Sequence, residues 1–238
     1  MSSATWYTPE EAQAVFREAN AAYVRGALAD AEAGYLKLLE HGSGGQDVLY
    51  NLGTTALAQG KLGEAVLYLE RARREGPDSA DLETNLALAH SRQLDKVVGE
   101  AVQGTFLERV ATATPIQAAG PAFVTLWVLG LGLLAVRRLV RGGLRAACAV
   151  GAAVMLVVAV PLGGLLAAHA WVGAHVEEAV VLAGTAQARE FPSPEGKVAF
   201  EVHVGLMVRV LERSGDFVRI RLPNGREGWT QAEHVASL

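Results

Sequence analysis

Apolar and polar positions divide the chain into three parts. In the middle lie two stretches without a single acid, lysine or arginine: the 27 residues between Arg109 and Arg137, and the 31 between Arg145 and Glu177. Within them, 116–136 and 146–171 are continuous apolar runs. About 20 such residues at 1.5 Å rise cover roughly 30 Å of hydrocarbon. Neither run has the polar face of a soluble helix, so both are predicted to be transmembrane helices rather than buried core helices. Gly130, Gly132, Gly151, Gly163 and Gly164 suit close helix–helix approach. Pro161 removes one backbone donor and is expected to kink the second helix.

Between the runs, 137–145 reads RRLVRGGLR, with Arg137, Arg138, Arg141 and Arg145 as the topology-determining residues. An arginine at mid-membrane costs about 2.5–3.5 kcal/mol on insertion scales, so this segment is predicted to be an aqueous turn. A short arginine-rich loop is retained in the cytoplasm, and two spans return the chain to its starting side. Both soluble ends are therefore expected on one side of a bacterial inner membrane, the periplasmic one. The start, MSSATWYTPEEAQAVFREA, has no basic n-region and no apolar h-region. Export of the N-terminal part then requires a start further upstream, a signal already removed, or the reverse topology. The two ends share a side in all three cases.

Residues 12–45 and 46–79 align at a constant offset of 34. Ala19 falls on Gly53, Gly26 on Gly60, Ala31 on Ala65, Tyr35 on Leu69 and Leu38 on Ala72. Each unit reads as helix–turn–helix, with a glycine at the turn and Pro77 ending the second unit. A partial third unit over 80–113 repeats Asn51-Leu52-Gly53 as Asn85-Leu86-Ala87 and is expected to cap the array. Thr8-Pro9-Glu10-Glu11 reads as an N-cap, a proline at the first helical position and a capping-box glutamate.

The pattern resembles the tetratricopeptide (TPR) repeat family, most closely in Leu49, Leu52, Gly53, Gly60, Ala65, Leu69, Ala72 and Pro77. The resemblance implies an α-helical solenoid over 8–113 whose groove binds a peptide or helix. By motif position that groove presents Phe16, Asn20, Tyr23, Tyr50, Thr54 and Leu57, with Asn51 and Asn85 beside it. Tyr23 and Tyr50 fit packing between repeats equally well, and both readings stay open.

From Val180 the pattern changes to period two. Val208 and Val210, then Val218, Ile220 and Leu222, alternate with polar residues, as in half-buried strands. Ser214-Gly215-Asp216 and Asn224-Gly225 are turn signals. About 60 residues of short strands fit a small all-β barrel over 177–238. The run VRVLERSGDFVRIRLPNGREGWTQAEHV resembles a bacterial SH3 (SH3b) domain, with Phe217 and Gly228-Trp229 at the family's aromatic positions. Phe217 and Trp229 are its candidate surface aromatics, although Trp229 is weighted towards the core. Arg189 to Pro194 is expected to be a flexible first loop.

Composition narrows the function. Counting glycine, about 60% of the residues are apolar, where soluble domains sit near 45–50%. A net charge of −4 argues against nucleic acid as a partner, and one cysteine, Cys148, excludes an internal disulfide or a cysteine zinc cluster. The six histidines are scattered without metal-ligand spacing, and there is no P-loop, nucleophile elbow or dinucleotide fingerprint. No catalytic residue, metal or cofactor is expected.

The whole order, helical repeats, two spans and an SH3-like domain, resembles the BatE-type TPR/SH3 membrane proteins of the Bacteroides aerotolerance (Bat) operons. That resemblance implies a non-catalytic membrane subunit working with von Willebrand factor A-domain membrane proteins and a MoxR-type AAA+ ATPase. The other class in view is an envelope sensor whose SH3b domain holds peptidoglycan or a cell-wall peptide.

Overall fold

A computed structural model of the chain describes residues 6–77, 79–95 and 119–238. The remainder of the third helical unit and the first residues of the first span, 116–118, lie outside the described residues. The chain divides into two units. One holds the N-terminal helices together with the C-terminal strands, and the other holds the apolar hairpin.

In the first unit, α1 (Pro9–Val24) opens with Thr8 as N-cap. Its hydroxyl accepts the N–H of Glu11, and Glu11 Oε2 accepts the N–H of Thr8 at 2.9 Å, the expected capping box. Then follow α2 (Leu28–Glu40), α3 (Gln46–Gln59), α4 (Leu62–Glu75) and α5 (Ala80–Ser91), each packed on the next. The turns after α1 and α3 place Gly26 and Gly60 at the same φ of 78°, in the left-handed region that favours glycine. Burial keeps the same 34-residue offset: Ala31 and Ala65 are fully buried, as are Tyr35 with Leu69 and Leu38 with Ala72. A side chain on Gly53 would reach within 2.7 Å of Leu69, so the α3–α4 crossing requires glycine there.

The strands are β1 (Glu177–Val181), β2 (Thr185–Arg189), β3 (Val198–His203), β4 (Met207–Ser214), β5 (Phe217–Arg221), β6 (Glu227–Gln231) and β7 (Val235–Ser237). They form one antiparallel sheet in the order β3-β2-β6-β5-β4-β1-β7. The expected barrel is thus an open sheet, because β3 and β7 remain unpaired edges. Ala186, Ala188, Val202, Val208, Val218 and Ile220 fill its core, as the period-two pattern predicts. The turn glycines Gly215 and Gly225 both have positive φ.

Residues 189–194 leave the end of β2 in a turn that returns towards β3. Arg189 donates to the Gly196 carbonyl at 2.6 Å and Glu190 N–H to that of Lys197 at 3.0 Å.

The second unit is a hairpin of α6 (Ala119–Leu139) and α7 (Gly143–His175), 21 and 33 residues long and apolar enough to cross a bilayer. The predicted nine-residue loop contracts to Val140–Gly142: Arg137 and Arg138 close α6, Arg145 lies in the first turn of α7, and only Arg141 is in the turn. Gly142 at φ 65° lets the chain reverse within three residues. A side chain on Gly130 would meet Leu156, one on Gly151 would meet Leu133 and one on Gly163 would meet Phe123. Gly132 and Gly164 face no neighbour within 4 Å, so close packing accounts for three of the five glycines. Cys148, Ala152 and Ala159 continue the buried seam of small side chains. Pro161 lies inside α7, which runs through it.

Candidate functional site

The candidate groove residues of α1, α3 and α5 meet one another. Asn20 Oδ1 accepts from the Tyr35 hydroxyl at 2.7 Å and from Asn51 Nδ2 at 3.1 Å. Asn85 Nδ2 donates to the Tyr50 hydroxyl at 3.0 Å and lies 3.4 Å from Thr54 Oγ1. A polar ladder thus links successive first helices, and every member is partly exposed except Tyr35, which is buried. Burial pushes the Tyr35 hydroxyl's pKa up, so it remains a donor at neutral pH. Tyr23 and Phe16 lean on the core of α1 and α2, and Tyr50 on the cluster around Leu49 and Leu69. Leu57 departs from expectation. It is buried, in the apolar cluster that joins α3, α4 and α5 to the C-terminal strands.

That cluster is a structured interface. Fully buried Val180, with Leu182, Met207, Ala236 and Leu238, packs on Leu57, Val66, Leu67 and Ala89 of α3, α4 and α5. Polar contacts ring it. Arg71 donates to the Ser237 carbonyl at 2.6 Å, and Arg74 pairs with Glu178 at 2.5 Å. Gln93 donates to the Gly205 carbonyl, and Asp95 holds His203. Gly63 lies so close that a side chain there would meet Val204 at 2.9 Å and Leu182 Cα at 3.1 Å. The basic run Arg71, Arg73 and Arg74 is therefore divided: two arginines serve the interface, and Arg73 faces Glu70.

The outer face of the sheet carries the two candidate aromatics. In β6 the buried residues are Gly228 and Thr230, so Trp229 points the other way and is half-buried, not in the core. Gly228 takes the inward position, where a side chain would strike Ala188 at 2.9 Å. Trp229 stands in register between Arg189 and Arg219. Arg219 and Arg221 both pair with Glu227, and the Arg221 hydrogen bond in particular holds the Glu227 carboxyl below its usual pKa. Beside this row lies a groove of about 350 Å³ between Phe217, Pro194, Arg189, Gln187, Gln231 and His234. It shares no residue with the surface packed on the helices.

Residues 182–236 match the bacterial SH3 domain family. The match covers β2 to β7, about a quarter of the chain, and its residues hold both the outer groove and part of the surface packed on α3–α5. No curated protein matches the chain. The SH3 domain is thus wedded on one face to the helices while its groove face stays clear of them.

Among the described residues, no cluster of three or more histidine, cysteine, aspartate or glutamate side chains is arranged to hold a metal ion. Sequence reasoning passed over two buried groups. The Glu70 side chain is 3% exposed, with Oε2 2.6 Å from Arg73 in a poor hydrogen-bond direction and Oε1 3.6 Å from His90. His169 lies within α7 with its Nε2 buried and unpartnered. Neither stands in a motif that could have announced it.

Proposed function

We propose that the chain is a non-catalytic, two-span membrane scaffold that presents one composite partner-binding body, TPR-type repeats and SH3 domain together, on the periplasmic face of a bacterial inner membrane. The observation that carries this reading is the packing of segments before and after the apolar hairpin into a single unit. If the hairpin lies in a bilayer, that packing requires both ends on one side, hence an even number of crossings. The dimensions agree: Arg145 and Trp171 are 26 residues apart, about 39 Å of helix, and a bilayer with its headgroups is about 40–45 Å thick. Arginine at one end and tryptophan at the other suit the two interfaces.

On this reading the helical face engages an extended peptide. The Asn20 amide nitrogen and Asn51 Oδ1 are not used by the polar ladder and offer a donor and an acceptor to a peptide backbone. The resemblance in domain order points to a Bat-type complex with von Willebrand factor A-domain membrane proteins and a MoxR-type ATPase, in a role tied to aerotolerance and stress. Affinity purification of the full chain in mild detergent tests this. Recovery of membrane proteins with von Willebrand factor A domains supports it, and their absence from the eluate counts against it.

The open groove at Phe217 favours a second reading, in which the SH3 domain holds peptidoglycan or a cell-wall peptide. Binding of the full chain to purified sacculi, lost on Phe217→Ala, supports it; equal binding by both proteins rejects this groove.

A further inference from the structure

The arginine end of the hairpin does more than mark a turn. Between α6 and the start of α7 lies a cavity of about 680 Å³, lined by Leu131, Leu134 and Ala135 and, at the end of α6 and the start of α7, by Arg137, Arg138, Leu139 and Arg145. The sequence from 110 to 176 contains four arginines and no carboxylate, so these charges have no acidic partner within their own segment. By contrast, Arg74 pairs with Glu178 and Arg219 with Glu227. The first turn of α7 adds to the demand for an anion: it follows Gly142, has no side-chain cap and contains no acid. The Arg145 N–H donates to the Gly142 carbonyl at 3.1 Å, which leaves those of Gly143 and Leu144 for an external acceptor. Leu131 and Arg138 are seven residues apart, about 10 Å along the helix. Over that distance the lining passes from hydrocarbon to guanidinium, as a lipid passes from acyl chain to phosphate.

We propose that this cavity binds the phosphate of an anionic phospholipid, with the acyl chain against the leucines. The inference rests on the membrane reading above. A topology signal needs only the arginine charge, whereas a lipid site also needs the apolar wall, so the two can be separated.

The test uses the full chain in a mild non-ionic detergent, titrated with phosphatidylglycerol, with phosphatidylcholine of the same chain length, and with inorganic phosphate; bound lipid is read by native mass spectrometry. Phosphatidylglycerol is expected to bind at least about tenfold more tightly than phosphatidylcholine, given the sensitivity of basic membrane-surface clusters to anionic lipid. Inorganic phosphate at equal concentration should not displace it. The preference should fall to near parity in R137Q/R138Q/R145Q and also in L134W, which keeps every charge and fills the apolar wall. Parity of the two lipids on the unaltered chain, survival of the preference in either variant, or displacement by phosphate alone would overturn the site. A chain that dissolves without detergent would instead remove the membrane reading itself.

Discussion

Asp95 Oδ2 accepts the backbone N–H of His203 at 2.6 Å, while its Oδ1 lies 2.7 Å from His203 Nδ1. One carboxylate just beyond α5 thereby fixes the end of β3 in both backbone and side chain, across 108 positions of sequence. Each such hydrogen bond is worth about 0.5–1.5 kcal/mol net where water can reach the partner left behind, and the Asp95 and His203 side chains are partly exposed. Asp95→Ala is therefore expected to lower the unfolding free energy of the full chain by about that amount per bond. It should also raise the hydrogen-exchange rate at the His203 amide; unchanged protection there would show that Asp95 does not hold the strand.

The apolar centre of the same interface makes a stronger demand. Burying a valine side chain is worth about 1.5–3 kcal/mol, and a charge placed there without a partner costs more. Val180→Asp should separate the SH3 domain from the helices while the inward-facing core around Val218 and Ile220 remains intact. Gly63→Val should do the same by steric means, since any added carbon meets Val204 and the Leu182 backbone. Spin-label distances between α4 and β4 should lengthen and broaden in both variants. Narrow, unaltered distributions would mean that the interface is not what holds the parts together.

Glu70 and His90 give the helical part a pH dependence. Burial pushes the Glu70 pKa up, but His90 and Arg73 outweigh it and hold the carboxyl below its ordinary value. The Glu70 carboxylate in turn raises His90 above its ordinary value. The carboxylate's contribution is present above its unfolded pKa, about 4.5, and is lost as pH falls through its lowered folded value. The imidazole's contribution is present below its unfolded pKa, about 6.5, and is lost as pH rises through its raised folded value. The pair thus stabilises most between these limits. A double-mutant cycle with Glu70→Gln and His90→Phe should give a coupling of about 0.5–1 kcal/mol near pH 5.5, reduced for the partial exposure of His90. The coupling should fade by pH 9, and a value independent of pH would exclude the pairing.

The helical ladder predicts its own mutational pattern. Asn51→Ala removes one donor to Asn20 and a free acceptor, and a neutral hydrogen bond of this kind is worth about 0.5–1.5 kcal/mol. Unfolding free energy should fall within that range for Asn51→Ala and for Asn85→Ala. If the ladder face also binds peptide, Asn51→Ala should weaken captured partners more than the equally destabilised Asn85→Ala. Equal loss for both variants would assign the ladder to helix packing alone.

Local patterns made much of this architecture legible. The hairpin was visible because two long apolar runs carry no charge and are broken only by the arginine-rich segment, and α1 because Thr8, Pro9 and Glu11 have the chemistry of a helix start. The strands followed from alternation at Val208, Val210, Val218 and Ile220. The docking of the SH3 domain was not visible. Val180, Met207 and Leu238 are apolar like any strand residue, and nothing local distinguishes those that face the sheet's own core from those that face α4. For the same reason Leu57 fits groove lining by its motif position although it is buried in the shared apolar cluster. Trp229 was weighted inward because large aromatics are usually buried, yet Gly228 takes the inward position where no side chain fits. The arginine loop read too long because Gly142 allows a three-residue reversal, with the flanking arginines kept in helix.

The account stands on the two ends of the chain sharing one side of a membrane, and cysteine labelling tests that directly. With Cys148 replaced by alanine, single cysteines at Glu83 in α5, Glu212 in β4 and Arg141 in the hairpin turn are exposed in intact cells to a membrane-impermeant maleimide. The account predicts labelling at Glu83→Cys and Glu212→Cys from the outside, and at Arg141→Cys only after the membrane is opened. Labelling of Glu83→Cys and Glu212→Cys from opposite sides would contradict it.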